Sequence, residues 1–227
     1  MEWDNGTPLQ KIRRSNIKEI TDFIGDININ CHVELQNAPQ ATESIGNSKS
    51  IVNQLIKRQK GMVDILDKID TSVEFRKWAL NTLRATTNNR IDTFERKINA
   101  QHWKKRRNDD ILSPSDVGIH NTISCKDGLR FIDFEFSGLD DPCKLLADWV
   151  LQPEAPFSKE LEQELIQNIT YALKRENIDY LKRYQDIKPL VHSKWCYIIS
   201  KQLLKRPPEE RLAIERKAMN YFALEEH

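Results

Sequence analysis

The segment from Ser113 to Asp148 interrupts a chain that otherwise has the periodicity of helices. Within it, Asp116 and Asn121 lie five positions apart in a polar stretch, and Asp133 follows inside an apolar run. The dipeptide Asp127-Gly128 between them is a strong signal for a tight β-hairpin. The sequence therefore predicts a mainly α-helical protein that contains one small β-hairpin.

The predicted hairpin indicates which polar residues meet. A two-residue turn at Asp127-Gly128 pairs Thr122 with Asp133, so Asn121 lies one residue from that pair. If the strand continues to Phe136, alternation projects Asp133 and Glu135 to one face and the apolar side chains to the other. Two carboxylates beside an Asn form a plausible site for a hard cation such as Mg²⁺.

Helical periodicity surrounds this segment. Apolar residues between positions 51 and 98 recur at helical spacing and predict an antiparallel helical hairpin. Later helices are predicted around 161–173 and from Pro189 and Pro208, since proline suits the first turn of a helix. We expect one lobe over residues 1–227. Its parts are a hinge-like start at 1–14, a helical part at 15–110, the loop and hairpin at 111–148, and C-terminal helices at 149–227.

Composition narrows the classes of protein. The chain has 227 residues, of which 39% are hydrophobic and 30% are charged, the balance of a globular protein. A formal net charge of +1 provides no bulk field toward nucleic acid or an anionic membrane. We interpret the basic run Trp103 to Arg107 as a solvated helix end rather than a nucleic-acid site.

The N-terminal residues lack the apolar core of a signal peptide, and no apolar stretch is long enough to span a bilayer. The four cysteines form no CxxC pair and fit no zinc-site spacing; they are Cys31, Cys125, Cys143 and Cys196. Free thiols are typical of a reducing compartment, so we expect a cytoplasmic protein.

The spacing D-x-x-x-x-N is that of a kinase catalytic loop. Phosphoryl transfer needs a residue that accepts the proton of the attacking hydroxyl and ligands that hold Mg²⁺ against the phosphates. Asp116 is placed for the first role, and Asn121 and Asp133 are placed for the second. The alternative interpretation of Asp116 and Asn121 is an ordinary loop with local side-chain hydrogen bonds.

These residues resemble the aminoglycoside phosphotransferase and choline kinase-like family of small-molecule kinases. That family typically has a His-Gly-Asp-x-x-x-x-Asn loop, an Ile-Asp-Phe/Trp-Glu strand and a Gly-x-x-Asp-Pro segment. This chain has Asp116 and Asn121, then Ile132-Asp133-Phe134-Glu135, then Gly138 to Pro142.

The resemblance implies the C-terminal lobe of a protein-kinase-like fold and an ATP- or GTP-dependent phosphotransferase that acts on a hydroxyl of a small molecule. It implies that Asp116 is the catalytic base. Asn121 and Asp133 are implied to bind Mg²⁺ and the nucleotide, with Glu135 as a supporting carboxylate at the metal.

The chain departs from the family pattern at three places. Pro114 and Ser115 stand where His-Gly usually precedes the Asp, so another contact must brace the loop. Leu145 occupies a position where many members carry an Asp, with Asp148 the nearest substitute. No Gly-rich phosphate loop or strand Lys precedes Asp116, and Met1-Glu2-Trp3 resembles the hinge between two lobes. The chain therefore resembles a C-terminal lobe that begins at its hinge. We expect a truncated reading frame, an excised domain, or one half of a split protein whose partner is a separate N-terminal lobe.

Two other functions stay open on the sequence alone. One is a non-catalytic, pseudokinase-like remnant or binding module. The other is a metal-dependent hydrolase that uses Asp116, His120 and Asp133.

Overall fold

The computed structural model describes residues 6–29, 38–45, 47–104, 109–174 and 179–224. The hinge-like Met1 to Trp3, Cys31 and the basic residues Lys105 to Arg107 lie outside the described residues. The chain forms two compact units, one from residues 1–46 and 104–184 and one from 47–103 and 185–227. No helix among the described residues combines the length and apolar character needed to cross a membrane.

Two small antiparallel sheets lie in the first unit. The first has the strand order β1-β3-β4, with β1 at Thr7–Pro8, β3 at Thr122–Cys125 and β4 at Gly128–Phe131. The second pairs β2 (Ile111–Ser113) with β5 (Gly138–Asp140). The β2 strand leads directly into the polar loop that contains Asp116.

Three helices of the first unit pack beside these sheets. Helix α1 (Arg14–Ile29) buries Ile17, Ile20 and Ile24 on one face and packs against α6 (Lys159–Ala172). Helix α5 (Pro142–Val150) contacts β2 and α6, and all nine of its residues are buried. The first residues of α7 (Asp179–Lys201) also belong to this unit.

In the described part of the second unit, all regular secondary structure is helical. This unit contains α2 (Ser48–Lys68), α3 (Val73–Lys77), a π-helical turn at Trp78–Leu83, α4 (Arg84–Glu95), the rest of α7, and α8 (Pro208–Ala223). The predicted antiparallel hairpin is confirmed by two contacts. Arg76 donates to the carbonyl of Leu66 near the connection, and Gln59 donates to Asn88 at 2.8 Å farther along both helices.

The mainly α-helical class with a small hairpin is confirmed, and so is the helix start at Pro208. The helix start at Pro189 is wrong, because Pro189 lies inside α7, which begins ten residues earlier at Asp179. Proline removes one helical hydrogen bond. The fully buried Ile187, Leu190 and Val191 outweigh that local preference by packing on either side of it.

The hairpin forms, but its predicted register is wrong by two residues. Cys125 pairs with Gly128 and Thr122 pairs with Phe131, so the two-residue loop is Lys126-Asp127. Glu19 of α1 accepts a 2.6 Å hydrogen bond from the Leu129 amide. A Cβ on Gly128 would lie 2.7 Å from that same carboxylate. Gly128 also has a φ of 130°, which residues with a side chain rarely adopt, so glycine suits the first residue of β4.

The predicted continuation of the strand to Phe136 is also wrong. Strand β4 ends at Phe131, and Asp133 has a left-handed backbone with a φ of 63°. The exposed residues after the strand include Ile132, Phe134 and Phe136 as well as both carboxylates. The alternation that was predicted to put Asp133 and Glu135 on one face therefore does not exist.

Buried charges hold α5 in the first unit. The Nζ atom of Lys144 lies 2.5 Å from a carboxylate oxygen of Asp148 and 3.4 Å from one of Asp140. Burial alone lowers the pKa of Lys144, but the two carboxylates outweigh burial and raise it. Asp141 caps the helix by accepting from the Cys143 amide and forms a 2.7 Å ion pair with Arg183.

We expect Lys144→Met to lower the free energy of unfolding by about 3–5 kcal/mol, because it leaves two carboxylates buried without their cation. Lys18→Met is the matched control, since Lys18 forms the same i,i+4 pair with Asp22 at 2.5 Å on an exposed surface. It should change stability little. Urea denaturation of both variants measures the difference. Equal losses would show that the Lys144 pair contributes no more than a surface pair.

Candidate functional site

The polar loop between β2 and β3 begins from an anchored strand. Asn28, in the last turn of α1, accepts a hydrogen bond from the Leu112 amide at 2.9 Å and donates to the Leu112 carbonyl at 3.0 Å. Both bonds involve one buried side chain and one residue of β2. The start of the loop is therefore held to α1 as well as to β5.

A strained tight turn presents Asp116. Ser115 has a φ of 66°, and the Asp116 amide donates to the Pro114 carbonyl at 2.9 Å. This region is unfavourable for a residue with a side chain, and such strain persists only where surrounding contacts enforce it. The Ser115 amide donates to the Ser113 hydroxyl, and the Ser115 hydroxyl donates to the Thr42 carbonyl at 3.2 Å. These hydrogen bonds brace the turn at Pro114 and Ser115, the two positions where the family named above usually has His-Gly.

Asp116 and Asn121 are tied together across the loop. The side-chain nitrogen of Asn121, Nδ2, donates to the backbone carbonyl of Asp116 at 2.8 Å. The loop between these two residues is also held by the first residue of β3, since the Thr122 hydroxyl donates to the Gly118 carbonyl at 2.8 Å. A second contact comes from the segment after α5, where the Gln152 side chain accepts a hydrogen bond from the Ile119 amide at 2.7 Å.

After the hairpin, the chain returns to the end of this loop. The Ile132 amide donates to the Asn121 carbonyl at 3.1 Å, which places Asp133 one residue beyond a residue paired with Asn121. Both Asp133 and Ser115 are non-glycine residues with positive φ. Sparsely populated conformations of this kind cluster at functional sites in proteins.

An exposed histidine contacts the Asp116 carboxylate. His120 Nε2 lies 3.3 Å from Asp116 Oδ1. This hydrogen bond is the largest of the contributions that raise the pKa of His120; the charges of Asp116, Glu154 and Asp133 also raise it, while burial opposes them. The carboxylates of Asp116, Asp133 and Glu154 therefore give His120 a negatively charged environment.

The structure places the remaining predicted residues as follows. Glu135 is exposed in a turn that is closed by a 3.0 Å hydrogen bond from the Ser137 amide to the Phe134 carbonyl. Asp148 is buried against Lys144 and does not substitute at the loop for the Asp that Leu145 replaces. In the described part of the chain, no three His, Cys, Asp or Glu side chains are arranged to hold a metal ion. This finding gives no support to the hydrolase alternative.

Three residues of the site were not predicted from the sequence, namely Asn28, Gln152 and Glu154. Asn28 follows a run of isoleucines at helical spacing, where a lone polar residue on the apolar face is a usable signal. Gln152 and Glu154 come directly after α5 and carry no local pattern. Only the path of the chain after α5 brings them near the loop.

Solved structures of small-molecule kinases share this fold. A choline kinase from Cryptosporidium parvum matches with a TM-score of 0.62 and 15% identity over 98% of this chain and 67% of its own. An ethanolamine kinase from Plasmodium vivax matches with a TM-score of 0.60 and 16% identity over 98% of this chain and 64% of its own. A spectinomycin phosphotransferase, whose structure contains ADP and spectinomycin, matches with a TM-score of 0.54 and 13% identity over 98% and 64%.

No family model matches the sequence, and no curated protein matches it either. The similarity is therefore one of fold. The chain has the fold of choline and ethanolamine kinases and of aminoglycoside phosphotransferases, and it corresponds to their C-terminal helical lobe. It spans about two thirds of the length of these proteins.

We expect His120 to titrate above its ordinary pKa of 6.5 and to lose most of that rise in Asp116→Asn, because the bond to Asp116 is its largest cause. NMR titration of the imidazole protons measures both values. Asp127→Asn is the control, since Asp127 is an exposed carboxylate that pairs with Arg130. An unchanged His120 pKa in Asp116→Asn would contradict the contact.

We expect Ser115→Gly to be more stable than Ser115→Ala by about 1–2 kcal/mol, because glycine adopts a positive φ without the steric cost of a Cβ. Both variants lose the hydroxyl bond to Thr42, so their difference isolates the backbone strain. Thermal denaturation of the pair measures it. Equal stability would show that the turn is not strained.

Proposed function

We propose that this chain is the acceptor- and metal-binding lobe of a phosphotransferase that moves the γ-phosphate of ATP or GTP to a hydroxyl of a small molecule. One observation carries the proposal. Asp116 and Asn121 are bonded to each other at the two ends of a braced loop, and Asn121 is paired with the residue that precedes Asp133. The fold shared with small-molecule kinases supports the same reaction class.

Asp116 is the proposed base. Its carboxylate is partly exposed and lies against His120, which orients it. In the reaction, the acceptor oxygen forms its bond to the γ-phosphorus while the bond to the nucleoside diphosphate breaks, and Asp116 takes the hydroxyl proton. The chain contributes mainly by positioning, since phosphoryl transfer asks little covalent chemistry of the protein.

Asn121 and Asp133 are the proposed magnesium ligands, with Glu135 in support. Carboxylate and amide oxygens are the donors that Mg²⁺ prefers. Because the Asn121 nitrogen is bonded to the Asp116 carbonyl, its oxygen is the atom left to bind a cation. Asn121 and Asp133 would be enough to hold Mg²⁺ beside a nucleotide, since one or two protein ligands suffice for this ion. When bound, it neutralises charge on the phosphates.

Two further parts of the proposal concern the setting. We propose that a separate N-terminal lobe completes the nucleotide site, because the matched kinases are longer than this chain by about a third of their own length. We also propose a cytoplasmic location, which the free thiols Cys125, Cys143 and Cys196 support. The main alternative is a non-catalytic module with the same fold.

Metal-dependent nucleotide binding separates these functions. At a concentration of about 100 times the Kd, a nucleotide should stabilise the protein by about 2.7 kcal/mol and raise the Tm by several degrees. We expect this shift with ATP or GTP plus Mg²⁺ and its loss with EDTA or in Asp133→Asn. Asp127→Asn should keep it. No shift with either nucleotide, alone or with an added N-terminal lobe, favours the non-catalytic module.

Phosphotransfer itself is tested with choline, ethanolamine and spectinomycin, the compounds named for the structural neighbours. We expect Asp116→Asn to lower the rate of product formation by at least about 100-fold, because general base catalysis contributes at least that much. Its circular dichroism spectrum should match that of the unsubstituted protein. Full activity in this variant would remove Asp116 from the mechanism, and hydrolysis of a phosphoester without nucleotide would favour the hydrolase.

A further inference from the structure

The middle of the loop that carries Asp116 and Asn121 is contacted by the segment that follows α5. The Ile119 amide lies between these two residues and donates to Gln152 Oε1 at 2.7 Å. The other end of the same side chain is also engaged, since Gln152 Nε2 donates to the Trp149 carbonyl at 3.1 Å. The amide group of Gln152 is therefore fixed at both of its ends.

The support beneath Gln152 is rigid. Gln152 and Trp149 are both fully buried, and Trp149 belongs to α5, whose nine residues are all buried. A buried amide that loses its hydrogen-bond partner is unfavourable, because no water replaces that partner as it would for an exposed amide. Loosening the loop at Ile119 would leave both its amide and the Gln152 oxygen without a partner, so the pair resists opening.

The fit between the loop and Gln152 is close. A Cβ added to Gly118 would lie 2.8 Å from Gln152 Oε1 and 2.8 Å from the His120 ring. Real Cβ atoms essentially never make such contacts. Glycine at position 118 therefore lets the loop approach Gln152 closely enough for the Ile119 bond to form.

We propose that Gln152 is a positioning residue for the reaction, which holds the loop so that Asp116 and Asn121 keep their relative placement. It acts through Ile119 and touches neither substrate nor metal. This inference rests on the proposed function for its catalytic part, whereas the brace itself is a property of the loop.

The test substitutes Gln152→Met, which keeps the volume and removes both hydrogen bonds. Hydrogen exchange followed by mass spectrometry should show faster exchange at 117–121, by about ten-fold or more, with α6 unchanged. With saturating Mg²⁺ and ATP and choline as probes, kcat should fall by up to about 100-fold, with the KM for ATP nearly unchanged. Thr170→Val is the matched control, because it also removes two side-chain hydrogen bonds in the same unit. One joins the Thr170 hydroxyl to the Ile166 carbonyl, and the other joins it to the Tyr180 hydroxyl.

The outcomes separate the two claims. Wild-type exchange at 117–121 in Gln152→Met would overturn the brace, as would equal effects in Thr170→Val. Faster exchange with a wild-type kcat would overturn the positioning role. If the unsubstituted protein, alone and with an added N-terminal lobe, neither binds nucleotide nor phosphorylates any of the three probe acceptors, the proposed function fails, and the exchange result alone decides the brace. If Gln152→Met does not fold, Gly118→Ala replaces it. That variant keeps the Gln152 amide, pushes the loop away from it and also strains the loop backbone, because Gly118 has a φ of 159°. It should show the same local exchange; protection equal to the unsubstituted protein would overturn the inference.

Discussion

The first unit depends on the burial of α5. This helix is buried at all nine residues, and its charged groups are paired inside the protein rather than solvated. Asp141 caps its first turn and binds Arg183, while Lys144 lies between Asp140 and Asp148. Because a buried charge is costly unless it is paired, these ion pairs permit only one placement of the helix. Gln152 then extends from that placement to the loop.

The loop at the proposed site is supported without a His-Gly pair before Asp116. Ser115 adopts the left-handed conformation that glycine would adopt more easily, and its hydroxyl bonds to Thr42. Asn28 holds the preceding strand, and Gln152 holds the middle of the loop. Backbone strain at Ser115 is therefore offset by contacts from α1, from residue 42 and from the segment after α5. The result is a partly exposed Asp116 beside His120, in a neighbourhood made negative by Asp133 and Glu154.

Local patterns predicted much of the fold. The helical spacing between residues 51 and 98 and the proline at 208 identified helices that the structure contains. The errors arose where tertiary contacts outweighed local preference. Pro189 lies inside a helix whose neighbouring residues are buried. The hairpin has a register two residues from the predicted one, and in it the Leu129 amide is bonded to Glu19 of α1. The strand through Asp133 was predicted from alternating residues, but a left-handed residue ends any such alternation.

The sequence by itself determined the fold class and proposed the trio Asp116, Asn121 and Asp133, because helical periodicity, a hairpin dipeptide and a characteristic spacing are all local properties of the chain. Only the tertiary structure decided how the loop is held. Asn28, Thr42 and Gln152 lie far from the loop in sequence. Asn28 makes two hydrogen bonds to the strand that leads into the loop, and Thr42 and Gln152 each make one to the loop itself. Such bonds leave no periodic pattern in the sequence, because they depend on where separate elements pack rather than on neighbouring residues.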